Sequence, residues 1–165
     1  MKALEPPDSL HLSAGEGWLE LGNYLEANEE LERISPEMRA HPLVLRIRYG
    51  IYEKAGKWDM AAEVARGISA MLPGNSWGWI QWAFALHELK RTGEAKCVLL
   101  PIADKFQEDW QISYNLACYC CQLGELSESM LWLGQAIDRA GKREIRLKAL
   151  DDPDLEPLWN DISEI

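Results

Sequence analysis

A fixed 34-residue frame constrains what this chain can fold into. Residues 42–73 read as one complete helix–turn–helix unit. Val44, Leu45, Ile51 and Tyr52 form an apolar stripe at helical spacing, and Ala55-Gly56-Lys57 interrupts it. A second stripe follows through Trp58, Ala61, Ala65 and Ile68, and Leu72-Pro73 closes the unit. Ala61 has counterparts at Ala27, Ala95 and Ser129, each 34 residues apart. Ala65 matches Leu31, Leu99 and Leu133; Ile68 matches Ile34, Ile102 and Ala136. Gly56 matches Gly22 and Gly124, with Lys90 in the third copy. A period of this length signals stacked helix pairs, because one pair cannot bury its own apolar face.

The frame divides the chain. Residues 1–7 are expected to be a loose lead-in, and residues 8–140 form four units at 8–41, 42–75, 76–108 and 109–140. Residues 141–165 form a helical cap and acidic tail. Asp8-Ser9 and Asp109 are candidate caps. Pro42 suits a first helical turn, where its missing N–H has no partner anyway. Pro101 falls inside an expected helix from Glu94 to Phe106 and should kink it. Leu126, Met130, Leu133 and Ile137 make a stripe on the last repeat helix that needs cover. Leu147, Leu150, Leu158 and Trp159 are the expected cover.

The repeat pattern resembles the tetratricopeptide repeat family. Trp79, Ala83, Leu86 and Ala95 fit its four key places in the third unit. Gly15, Trp18 and Ala27 fit in the first, and Ala117, Cys120 and Ser129 in the fourth. In the second, Leu45, Tyr52, Ala61 and Pro73 fit, with Tyr49 where a small residue is usual and Gly50 beside it. Tyr114–Tyr119 with Leu123-Gly124-Glu125 is similar to bacterial members, as is the ending Asp152–Leu158. The resemblance implies an all-α, right-handed α-α superhelix of four helix pairs with a C-terminal capping segment.

At 165 residues the chain can bury a continuous core without staples. Its net charge of −10 opposes nucleic acid and anionic membranes, which need a basic face. The first residues lack the apolar core of a signal peptide, and no run is long and apolar enough for a transmembrane helix. Four Cys occur, with Cys118, Cys120 and Cys121 crowded together. That crowding is a poor disulfide framework and suits free thiols in a reducing cytoplasm.

Catalytic and metal chemistry find little support. On a helix Cys118 and Cys121 share a face while Cys120 points inward, giving core filler with one or two accessible thiols. The three His (His11, His41 and His87) fall in different units without paired spacing. Glu29-Glu30-Glu32 and Asp151-Asp152-Asp154 read as solvated surface. No Gly-rich phosphate loop and no nucleophile–base–orienter set is present. No enzyme activity, cofactor or metal site is expected.

The resemblance implies that the first helix of each pair lines a concave groove. Trp77, Gln81, Phe84 and Glu88 make a stripe distinct from the core stripe of Trp79, Ala83 and Leu86. The matching groove positions are Arg46, Gly50 and Glu53 in the second unit and Gln111, Tyr114, Asn115 and Cys118 in the fourth. Aromatic and polar groups together suit a bound peptide segment. Some family members grip a C-terminal carboxylate with paired Lys, Asn and Arg. Here Gly50 takes the Asn place, and Gln81 and Gln111 replace others, which disfavours a chaperone-tail adaptor. The expected function is non-catalytic protein or peptide binding, as an adaptor or assembly factor. The alternatives are a homodimer through the Trp-rich surface and a small-ligand or thiol-dependent enzyme.

Overall fold

The computed structural model describes residues 3–164. It is all helical, at 77% helix, with no strand among the described residues. That fraction is well above the roughly one-third usual in globular proteins. Among the described residues ten α-helices follow in order: α1 (Asp8–Glu20), α2 (Tyr24–Glu32), α3 (Pro42–Lys54), α4 (Trp58–Met71), α5 (Ser76–Glu88), α6 (Thr92–Leu99), α7 (Trp110–Gln122), α8 (Leu126–Ala140), α9 (Lys142–Leu150) and α10 (Trp159–Glu164). Short 3₁₀ turns occupy Pro36–Met38, Leu100–Ile102 and Pro153–Leu158. No described helix is long and apolar enough to cross a membrane.

Local chemistry sets the helix ends. The Asn23 side chain accepts from the Glu26 N–H, and Asp109 Oδ1 accepts from the Gln111 N–H. His41 Nδ1 accepts from the Leu43 N–H just ahead of Pro42. Pro7 is the N-cap residue of α1, and the Asp8 carboxylate accepts from the Ser35 N–H at 2.8 Å and the Ser35 hydroxyl at 2.6 Å, tying α1 to the segment after α2. The tight turns need left-handed backbone, and Gly22, Gly56 and Gly124 supply it at φ 78°, 66° and 80°. The third turn uses Lys90 at φ 62°.

Pro101 ends a helix rather than kinking one. The α-helix stops at Leu99, and Pro101 lies in the Leu100–Ile102 turn. Proline has no N–H to continue the i→i−4 ladder, and Leu100 before it keeps α geometry at φ −55° and ψ −45°.

The chain divides into two compact units, residues 1–85 and 86–165. In the first, α1 pairs with α2 and α3 with α4, and α3 also packs against α1 and α2. Ala27, Leu31, Ile34, Met38, Val44 and Ile51 form its buried centre, with Leu12, Leu19, Tyr24 and Ile47 packed around them. Ala27 and Ala61 are both fully buried, as a small residue at a helix crossing should be.

In the second unit α7 is buried nearly all round. It meets α6, α8 and the Pro153–Leu158 turn. Ser129 stands where the other repeats have Ala and is fully buried. Its hydroxyl donates to the Ala117 carbonyl at 2.7 Å, which satisfies the added oxygen. α9 packs on α8 and turns Ile145 and Ala149, both 0% exposed, inward. Leu147, expected as cover, is 62% exposed instead. It lies about 200° around the helix from Ile145 at 100° per residue, so both cannot face the core.

Candidate functional site

In the first unit α1, α3 and the start of α5 enclose a cleft of about 400 Å³. Leu12, Glu16, Leu43, Arg46, Ile47 and Trp77 line it. Pro42 starts α3, so Leu43, Arg46 and Ile47 fall at helical spacing on one side. Trp77 is placed by the turn before α5, where its N–H donates to Asn75 Oδ1 at 2.9 Å.

The Trp77 ring is held from two sides. The Arg46 guanidinium carbon lies 4.7 Å from its centroid, and the Tyr49 ring meets it edge-on at 5.4 Å. Tyr49 is itself buried, and its hydroxyl donates to the Gln81 carbonyl at 3.4 Å. Trp77 remains half-buried, so part of the ring faces the cleft. Arg46 is exposed, and its charge is drawn to the ring face. Glu16 supplies negative charge to the same cleft. The site therefore offers an aromatic face, aliphatic walls and both charge signs.

The remaining sequence candidates of this unit are less open. A Cβ on Gly50 would lie 2.6 Å from Leu19 Cδ2, so Gly50 is a packing position against α1. It does not present a free groove surface. Burial raises the Glu53 carboxyl above its usual range, with Lys54 opposing. Phe84 meets Trp58 edge-on at 5.6 Å, and Gln81 is half-buried, as is Glu88 in the second unit. Leu12, Glu16, Leu43 and Ile47 were missed from sequence. The signal was there in Leu12 and Glu16, four apart on α1, but that helix has its apolar residues on two faces.

In the second unit the expected groove face of α7 is covered by the chain itself. The Tyr114 hydroxyl donates to Asp152 Oδ2 at 2.8 Å, and the Cys118 thiol lies 3.7 Å from the same oxygen. His87 Nε2 is 2.9 Å from Asp154 Oδ2, and Gln122 donates to the Asp154 carbonyl at 2.9 Å. Leu155 and Leu158 are buried beside them. Tyr114 and Cys118 are therefore buried rather than groove-lining; Gln111 is exposed and Asn115 half-buried. The physical reason is α7's second apolar face, which Asp152–Leu158 covers from a distant part of the sequence.

The thiols also differ from expectation. Cys118, Cys120 and Cys121 are all buried, and the exposed thiol is Cys97. Burial, reinforced by Asp152 and Asp154, holds the Cys118 thiol well above its ordinary range. Burial pushes Cys120 up to about 11, with Lys96 opposing. These thiols stay protonated, which is the reverse of an activated nucleophile. Ligand atoms of Cys118, Asp152 and Asp154 lie within 4.8 Å of one another, as do those of Cys120, Glu125 and Glu128. In the first cluster Tyr114 and His87 bond to the carboxylates. In the second the Lys96 ammonium sits 2.6 Å from Glu125 and 3.1 Å from Glu128.

In fold this is a tetratricopeptide-type helical-repeat protein. It is similar to MamA of AMB-1, with a TM-score of 0.67 and 17% identity, covering 96% of this chain and 91% of that one. MamA of MSR-1 gives a TM-score of 0.66 at 17% identity, covering 97% of each. Identity this low makes the likeness one of fold. A pentatricopeptide repeat-containing protein of Arabidopsis thaliana is 34% identical over 113 residues, 62% of this chain. The match spans 14% of that longer protein. No protein-family model matches the chain.

Proposed function

We propose that this protein is a non-catalytic scaffold that holds a short segment of a partner protein in the cleft of its first unit. The observation that carries the reading is the Arg46–Trp77 stack on the wall of that cleft, with Leu12, Leu43 and Ile47 around it. A half-buried Trp beside an Arg is the composition of an interaction hot spot. The helical-repeat fold supports the reading, since such folds present surfaces built from successive helices. The segment that fits carries one apolar anchor for the Trp77 face and a carboxylate for Arg46. The division into units at 8–41, 42–75, 76–108 and 109–140 belongs to this reading, and so does a cytoplasmic site, which the free thiols support.

Peptide selection on the folded protein tests it. Selected peptides should share an acidic residue next to an apolar one. Their affinity should fall by about 2 kcal/mol or more for Trp77→Ala, the scale of an aromatic hot spot. Arg46→Glu should weaken acidic peptides and leave neutral ones nearly unchanged. Selected peptides that bind both variants as well as the parent would remove this cleft from consideration.

A further inference from the structure

Charge is distributed unevenly along the chain. α1 and α2 carry seven carboxylates and no Lys or Arg. α9 carries four cations and one carboxylate in nine residues. A protein of net charge −10 thus has a compact basic element near one end of its sequence and an acidic one near the other.

Both elements also expose apolar surface. α1 buries Gly15 and packs Leu12 and Leu19 against the core, yet it has a second stripe on its opposite side. Leu10, Ala14, Trp18 and Leu21 follow at steps of 4, 4 and 3. Leu10 is 65% exposed and Leu21 78%, and Leu25 in the first turn of α2 is 66% exposed. No described residue covers this face. On α9 a cleft of about 540 Å³ is lined by Lys142, Arg143, Arg146, Leu147 and Leu150. Arg146 donates to the Ser163 carbonyl at 2.5 Å, whereas Lys142 and Arg143 have no ion pair among the described residues.

We propose that the α9 cleft of one copy receives the α1–α2 face of a second copy. Leu21 and Leu25 seat against Leu147 and Leu150, and the exposed Glu20, Glu26 and Glu29 face Lys142 and Arg143. The two surfaces match in two ways. Each surface is an exposed apolar patch rimmed by charge, the signature of an interaction site, and the rims are of opposite sign. The two surfaces differ, so the contact is made either twice, reciprocally, in a two-fold dimer, or once per pair, leaving one free face of each kind. It uses neither Arg46 nor Trp77 and is independent of the peptide cleft.

Sedimentation over a range of concentrations tests the proposal. The parent chain should show masses that rise above the monomer with concentration and fall back at high salt, where charge pairing is screened. The variant Leu21→Asp with Leu25→Asp should be monomeric, and so should Lys142→Glu with Arg143→Glu. All four residues are exposed, so both variants should keep the parent's circular dichroism. Mixed in equal amounts, the two variants should form a dimer and nothing larger, because each retains one intact surface. A parent chain that stays monomeric overturns the proposal. So does self-association of either variant at the parent's level, or a mixture that stays monomeric while both variants are folded.

Discussion

Lys90 adopts in the third repeat turn the left-handed backbone that Gly56 adopts in the second, at φ 62° against 66°. Left-handed geometry costs a side-chain-bearing residue about 1–2 kcal/mol. Glycine removes that strain but gives the unfolded chain more freedom, which offsets part of the gain. Lys90→Gly is expected to raise stability by about 0.5–1 kcal/mol. Urea denaturation checks it: the midpoint should rise with an unchanged slope. A lower midpoint would mean that the Lys90 side chain stabilises the turn by more than the backbone strain.

Trp77→Ala separates packing from binding. The ring touches Tyr49 and Arg46 but is only half-buried. Its loss should cost about 1–2 kcal/mol of stability, below the roughly 3–5 kcal/mol of a fully buried Trp. The binding loss of a selected peptide should exceed the stability loss. Melting temperature and peptide affinity measured on the same preparation decide it. A stability loss at the fully buried scale with unchanged affinity would make Trp77 a core residue.

Thiol labelling reads the cover on α7. In the native chain the exposed Cys97 should react quickly with a disulfide reagent, and the three buried thiols slowly. Leu155 is fully buried against this part of the structure. Leu155→Ala should cost about 2–5 kcal/mol and speed labelling of Cys118. Fast labelling of all four thiols in the parent would contradict the burial of Tyr114 and Cys118 beneath Asp152–Leu158.

The half-buried Glu53 gives a pH dependence with a defined sign. Burial raises its folded-state carboxyl above the ordinary value of 4.5. The stability that this group contributes is full below the unfolded value and is lost as pH rises through the folded one. Glu53→Gln should therefore be more stable than the parent at pH 7, and the difference should shrink toward pH 4. Thermal melts of both proteins across that range check it. A difference that widens in acid would reverse the sign and place Glu53 in a stabilising charge pair.

The sequence by itself determined the helical-repeat fold. The 34-residue spacing of Ala27, Ala61, Ala95 and Ser129 is a local signal repeated four times, and local periodicity translates directly into helices and their crossings. The breaks at Gly22, Gly56 and Gly124 were legible for the same reason: a turn's backbone requirement acts on one residue. Arg46 and Trp77 were legible as surface candidates because each lies on the first helix of its unit, off the core stripe of that helix. What only the tertiary structure decided depends on contacts between distant segments. Asp152 reaches Tyr114, and Asp154 reaches His87 from 67 positions away, which turns an expected groove face into core. Leu147 faces solvent because Ile145 and Ala149 take the buried side of α9, a choice between two apolar faces that α9's own pattern leaves open. Gly50 packs on Leu19 for the same reason. A helix apolar on two sides does not encode which side meets a neighbour; that is settled by which neighbours the rest of the chain brings.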